Sequence, residues 1–214
     1  MLVFAEMYGG GSGMGYFVKL NSELGVFANT WIGFIFMVIV LVIVMQFFEK
    51  LKERYEVETV VINDLELNPV QFEEYSRRKD GTVSEEAICL ANKIREADRI
   101  VIAAPFWDMS IPAALKNFFE LCSIFDVTFK SNDKTCYGNC KAEKMLYITT
   151  RGMDIDTGDV LEQGSSYLKA LSWLWGIGPL EVVSAQNMDY LSDTEIEERI
   201  RKAISEGLKI AEEF

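Results

Sequence analysis

No histidine occurs in this chain of 214 residues. That absence removes the usual metal ligand, the usual general base near neutral pH, and every Ser-His or Cys-His nucleophile arrangement. Hydrolase chemistry is thereby disfavoured. Redox chemistry carried by a bound cofactor survives, because the cofactor supplies the hard step and the protein has only to bind, orient and tune it. Basic residues are also few: 21 Lys and Arg against 33 Asp and Glu leave a net charge of -12. With a pI near 4.6, this argues against nucleic acid as a partner, since that binding rests on clustered Lys and Arg.

Cysteine is sparse, with four in all. Cys136 and Cys140 stand as Cys-Tyr-Gly-Asn-Cys, which is not Cys-x-x-Cys. A zinc or iron-sulfur site needs more thiolates or imidazoles nearby, so no metal site is expected and the thiols are assigned as unpaired, in a reducing compartment. Cys89 and Cys122 fall in apolar helical stretches and are expected to be small core hydrophobes.

What the chain has instead of charge at its amino end is a long apolar run. Residues 27–48 carry no charged side chain at all. By length and composition the run qualifies as a membrane span. Lys50, Lys52 and Arg54 come directly after it, mixed with Glu49 and Glu53, whereas only Lys19 precedes it. That asymmetry favours a cytoplasmic location for the remainder of the chain, attached to the membrane face. A secretory signal fits poorly, because the run starts late, lacks a basic leader and has no small-residue cleavage site after it. Two other readings stay open, namely a first helix of the domain buried on all sides, and an amino end foreign to the rest of the fold. Residues 1–54 are therefore set apart as an atypical N-terminal region, and 55–214 are assigned to one domain of ordinary size.

From there the pattern alternates. Strands are expected at 57–62, 100–104, 144–150 and 180–185, and helices from Thr82 to about Ala97, at 111–121 and at 161–175. Thr82-Val83-Ser84-Glu85 and Ser192-Asp193-Thr194-Glu195 have capping-box spacing. Behind the second, Ile196, Ile200, Ile204, Leu208 and Ala211 share one helical face. Strands alternating with helices imply a parallel sheet covered on both sides. The stretches 63–81 and 125–143 are long for loops inside a compact domain, and such loops are more often functional than idle.

The strand at 100–104 is apolar throughout and breaks at Pro105 into Phe106-Trp107-Asp108-Met109-Ser110-Ile111-Pro112 before a helix begins. In open α/β sheets ligands bind outside the carboxyl ends of the strands, so this loop is the first candidate site. Thr150-Arg151-Gly152-Met153 comes after the next strand in the same way. Arg151 has two readings: it faces a bound ring or phosphate, or it pairs with Asp154 or Asp156.

The segment from Pro105 to Phe118 resembles the flavin-cradling stretch of FMN-dependent NADH azoreductases and the related NAD(P)H quinone reductases. Asp126-Val127-Thr128-Phe129-Lys130 is similar to their Gly-Val-Thr-Phe segment, and Tyr147-Ile148-Thr149-Thr150-Arg151-Gly152 to the strand and loop reaching the flavin from the other side. The resemblance implies an α/β, flavodoxin-like, doubly wound parallel five-stranded sheet in the order 2-1-3-4-5, preceded by the atypical hydrophobic segment. It also implies an enzyme that binds FMN and uses NADH or NADPH to reduce an azo compound or a quinone in a ping-pong cycle, as a homodimer with flavin sites at the subunit interface. Pro105, Phe106, Trp107, Asp108, Met109, Thr150, Arg151, Gly152 and Met153 would line the flavin, with Gly152 letting the backbone approach the ring. Phe125 and Phe129 would reach the substrate, or else make a dimer contact, and Trp173 and Trp175 would be covered by the second subunit.

Asp108 stands where relatives commonly have Asn, and a carboxylate near the ring disfavours the reduced anion. The phosphate loop of the family is not found in its usual form. Leu2-Val3-Phe4-Ala5 followed by Gly9, Gly10, Gly11, Ser12 and Gly13 is the nearest candidate, equally readable as a flexible tether. Asn29-Thr30 is the other. The alternative is a membrane-tethered flavodoxin-like binding or electron-transfer module with a weakened FMN site.

Overall fold

The computed structural model describes residues 2–5, 25, 49–65, 67, 69–80 and 82–214. Ser12 and its neighbouring glycines, Asn29, Thr30 and the run 27–48 lie outside the described residues. Among the described residues no helix is long and apolar enough to cross a membrane.

Among the described residues the main elements are β1 (Leu2–Ala5), β2 (Glu58–Val61), α1 (Phe72–Asp80), α2 (Glu85–Glu96), β3 (Arg99–Ala103), α3 (Ala113–Cys122), β4 (Phe129–Ser131), β5 (Cys136–Gly138), β6 (Lys144–Thr150), α4 (Gln163–Trp175), β7 (Leu180–Ala185) and α5 (Asp193–Glu213). Five strands form one sheet in the order β2-β1-β3-β6-β7, and β4 and β5 form a separate pair. Every pairing in the large sheet is parallel. Counted along that sheet the order is 2-1-3-4-5, as the resemblance implied.

Because successive side chains of a strand point to opposite faces, the sheet sorts its apolar residues into two cores. Ile100 and Ile102 of β3 and Met145 and Tyr147 of β6 face α2, α3 and α4, where Leu90, Ile94, Leu115, Phe118, Phe119, Leu168 and Trp175 cover them. Val101, Leu146 and Val183 face the other way, against Leu51, Ile200, Ala203, Ala211 and Phe214. Ile196 and Ile204 pack on that second core, so the apolar stripe of α5 lies where its period placed it.

Helix boundaries reflect local chemistry. α2 begins at Ser84, whose hydroxyl accepts from the Ala87 amide at 3.2 Å. The cap is thus Ser84 and not Thr82, two residues later than the sequence spacing suggested. At α5 the Ser192 amide donates to the Glu195 carboxylate at 2.8 Å, the capping-box contact the sequence announced. α1 occupies part of the stretch expected to be a loop, 63–81. It docks on α3 through Arg78, which donates to the Glu120 carbonyl, and through the Val70 amide, which donates to Asn117 Oδ1 at 2.9 Å. Its sequence FEEYSRRKD has no apolar stripe to announce it, and Phe72 is 82% exposed.

The second long stretch, 125–143, holds the β4–β5 hairpin. It is clamped to the far end of α4, where the Cys140 amide donates to the Trp175 carbonyl at 3.0 Å. Gly176 ends α4 with φ +72°, in the left-handed region that favours glycine. A Cβ on Gly138 would lie 1.9 Å from the Gly176 amide nitrogen, so backbone meets backbone at that contact.

Two sequence readings of buried side chains change. Cys122 is in the core as expected, but Cys89 is exposed, since it lies on the outer face of α2. Trp175, expected at a subunit contact, is 1% exposed. It sits edge-on to Phe119 with ring centroids 5.8 Å apart. Trp173, two residues earlier and on another face of the same helix, is 68% exposed.

Candidate active site

The β3–β6 ladder does not stop where the strands do. The Ala104 amide donates to the Ile148 carbonyl and the Phe106 amide to the Thr150 carbonyl, both at 3.1 Å. This lays the two loops picked from the sequence, 105–110 and 150–153, side by side at the carboxyl edge of the sheet, where ligands of such folds bind.

The first loop is a two-residue hairpin turn. Trp107 and Ser110 exchange amide-to-carbonyl hydrogen bonds at 2.9 Å in each direction. Between them Asp108 and Met109 both have positive φ, 47° and 68°. This turn shape normally calls for Asn-Gly, and two consecutive left-handed non-glycine residues store strain of the kind that collects at functional loops. Phe106, Trp107 and Met109 are half-buried and Asp108 is exposed.

The second loop is fixed from the neighbouring strand. The Arg151 amide donates to the Ala185 carbonyl at 2.8 Å, Met188 to Arg151 at 3.1 Å, Asp189 to Gly152 at 3.0 Å and Asn187 to Met153 at 3.0 Å. Gly152 has a reason other than ring approach. A Cβ there would lie 2.0 Å from Oδ2 of Asp189, whose carboxylate fills that space. The Asp108, Met109, Gly152 and Met153 amides have no acceptor among the described residues.

At Arg151 the structure overturns the reading that pairs it with an aspartate. It is fully buried and pairs with neither Asp154 nor Asp156. Those carboxylates accept instead from Gln186 Nε2, at 3.4 and 2.7 Å. The guanidinium turns inward, donating to the Ile155 carbonyl and to Thr157 Oγ1 at 2.9 Å each. Its Nη2 lies 3.8 Å from Glu162 Oε1, and Glu162 is as fully buried as Arg151. Its Cζ stands 5.6 Å from the centroid of the Phe106 ring. On the same face of β6, Tyr147 Oη and Thr149 Oγ1 are buried without a hydrogen-bond partner, as is Arg151 Nε. Burial pushes the Tyr147 phenol up to about 12, so it stays protonated.

Phe125 and Phe129 are not brought to these loops. They pack edge to face at 5.7 Å, in a knot tied by buried Thr128, whose hydroxyl donates to the Cys122 carbonyl at 2.9 Å. This knot and the site lie at opposite ends of α4. Gln163 at its start donates to the Met109 carbonyl at 2.9 Å, while Trp175 at its end holds the strand that leads back to Thr128. A helix of that length spans about 20 Å.

Glu162, Gln163 and Asp189 tie the site together and were not singled out in the sequence. Glu162 had one usable signal, an acidic side chain just ahead of the helix where an N-cap belongs. Its ion pair with Arg151 is nonlocal and left none.

A family model described as "Flavodoxin-like fold" matches residues 42–209. Among curated sequences the chain is similar to FMN-dependent NADH:quinone oxidoreductase 2 of Clostridium acetobutylicum, 32% identical over 126 residues, covering 58% of this chain and 62% of that protein. It is also similar to the FMN-dependent NADH:quinone oxidoreductase of Coprothermobacter proteolyticus, 29% identical over 151 residues, covering 70% and 73%. The chain thus spans 62% of the length of the first of these relatives. Among solved structures, an azoreductase from Bacillus anthracis str. Sterne superposes with a TM-score of 0.74 at 19% identity, covering 100% of this chain and 99% of that one. An FMN-dependent NADH-azoreductase from Bacillus anthracis str. Ames Ancestor in complex with FMN gives 0.69 at 20% identity, covering 99% and 96%. At these identities the structural likeness carries the fold.

Proposed function

The chain belongs to the flavodoxin-like fold family, and on that premise we propose that it is an FMN-dependent NAD(P)H oxidoreductase that reduces quinones or azo compounds. One observation carries the reading: the ladder continued to Phe106 and Thr150 sets two loops edge to edge beyond the sheet. The residues present suit a flavin. Phe106 and Trp107 offer flat apolar faces. The backbone amides of Asp108, Met109, Gly152 and Met153, which lack acceptors among the described residues, are donors for the carbonyl and nitrogen edge of an isoalloxazine. Pro105 and Thr150 complete the two walls.

The chemistry FMN supplies when bound is hydride acceptance from NADH or NADPH and delivery of electrons to the acceptor. This chain's residues have only to hold the ring, exclude water from one face and leave the other open to the two substrates in turn. Protons for the reduced product come from water, so the lack of histidine is no obstacle.

The substrate role of Phe125 and Phe129 requires a second copy of the chain, because within one chain they stand at the far end of α4 from the loops. A homodimer of isologous contact supplies them in trans. Exposed Val160 and Leu161, next to Gln163, and exposed Trp173 at the other end of α4 are apolar surface available for such a contact. Residues 55–214 are assigned as the flavin domain with a cytoplasmic location, and 27–48 as the segment that attaches it to the membrane face.

The visible absorption spectrum of the purified protein, before and after anaerobic NADH or NADPH, tests the reading. An oxidised-flavin band that bleaches with nicotinamide supports it. No band even after FMN is added overturns it, and leaves a flavodoxin-like binding module.

A further inference from the structure

We propose that Glu162 is a positioning residue that joins the two flavin-facing loops and neutralises the buried Arg151 charge beneath them; this rests on the flavin reading above. Three contacts meet at Glu162. Its carboxylate caps α4, accepting from the Ser165 amide at 2.9 Å and from the Ser165 hydroxyl. It faces Arg151 Nη2 at 3.8 Å, with both side chains at 0% exposure. The next residue, Gln163, donates its amide to the Met109 carbonyl at 2.9 Å, inside the left-handed turn.

Arg151 completes the link from the other side. It holds its own loop through the Ile155 carbonyl and Thr157 Oγ1, and its cation lies 5.6 Å from the ring of Phe106. The loop at 105–110 is therefore fastened to α4, α4 to Glu162, Glu162 to Arg151, and Arg151 to the loop at 150–157. Among the described residues no other carboxylate pairs with this guanidinium, and the polar groups next to it on β6, Tyr147 Oη and Thr149 Oγ1, are neutral. An arginine stays charged when buried. With Glu162 in place the buried pair carries no net charge; without it, a lone cation would stand behind Phe106, where low polarity would strengthen its pull on a reduced, electron-rich flavin held by the two loops.

Wild type, E162Q, S165A, R151M and the double variant R151M/E162Q are compared for FMN dissociation constant and flavin midpoint potential. E162Q is expected to weaken FMN retention about tenfold by loosening the loops. It should also favour reduced over oxidised flavin about tenfold, a positive shift of about 30 mV for a two-electron couple. S165A slackens the cap without touching the charge, so its melting temperature falls while its potential stays put. In R151M/E162Q both charges are gone; the potential returns to the wild-type value while FMN retention stays weak.

A purely structural Glu162 would lower retention and leave the potential of E162Q unmoved, which overturns the charge role. If E162Q does not fold, R151M decides: with the cation gone and Glu162 kept, a potential that moves below the wild-type value upholds the inference, and an unmoved potential overturns it. Wild-type protein that takes up no FMN overturns the enzyme reading and this inference together. That result is distinct from flavin-loaded wild type with an indifferent E162Q.

Discussion

Cys140 is held with its Sγ 3.5 Å from the Thr128 carbonyl, and burial pushes its thiol up to about 12. Burial pushes Cys122 up as well, in the core under α3. The thiolate is the reactive form, and a raised value leaves almost none of it at ordinary pH. Alkylation of the native protein at pH 8 is expected to label exposed Cys89 and to spare Cys122 and Cys140 until denaturant is added, as peptide mass spectrometry reads directly. Label on native Cys140 would mean that the hairpin opens. At Asp108 the backbone decides the outcome. A β-branched residue at φ +47° is strained, so Asp108→Val is expected to cost about 1–2 kcal/mol in urea unfolding. Asp108→Gly should cost nothing, and equal losses in the two variants would show that the turn is not held left-handed. Residue types such as Phe106 and Trp107 were legible because they come directly after an apolar strand. The left-handed turn was not, since neither Asp108 nor Met109 is the glycine that would announce it, and the inward course of Arg151 depends on Glu162, eleven positions away and around a loop.

Elements were legible wherever burial leaves a period in the sequence. β6 and β7 came out to the residue, because each has a β-branched or apolar centre, Met145 to Ile148 and Val182-Val183, between polar or turn residues. α1 and the β4–β5 hairpin did not, because both lie on the surface and are held by single polar contacts or by backbone touching backbone. That hairpin contact makes a sharp test. Gly138→Ala would drive a methyl into the Gly176 and Trp175 backbone, with Trp175 C only 2.1 Å from its Cβ. A loss of about 3 kcal/mol in denaturant unfolding is expected, and a neutral substitution would mean that the hairpin does not rest on α4. At the other end of the chain, hydrogen bonds from the Ser192 hydroxyl and amide hold the Glu195 carboxyl below its ordinary value of 4.5. A lowered value adds stability above the ordinary value and loses it as pH falls through the lowered one. The melting temperature of Glu195→Gln should therefore lie below wild type at pH 7, and the gap should close as pH falls below the ordinary carboxyl value and through the lowered one. A gap that persists in acid would show that the charge is not what caps α5.

At the scale of the whole molecule, alternation foretold the layers, and resemblance supplied the order of the strands. The strand order itself leaves no local trace, for a strand carries the same apolar run whether it lies at the centre or second from an edge. The assembly is testable by mass: a dimer that brings Phe125 and Phe129 to a neighbour's loops should run at twice 24.3 kDa in light scattering, and Trp173→Glu should shift it toward the monomer. β1 has a different consequence, one of time. Leu2 pairs with Glu58 on one side and Ile100 on the other, so the keystone of the sheet is made before either of its seats. At ordinary rates of synthesis the nascent strand waits on the order of ten seconds for its second neighbour. Until then the edge of β1 that β3 will cover has no partner and is open. Pairings this distant in sequence slow folding, so refolding is expected to be slower, and more prone to aggregation at high protein concentration, than for a fold whose strands pair with their neighbours in sequence.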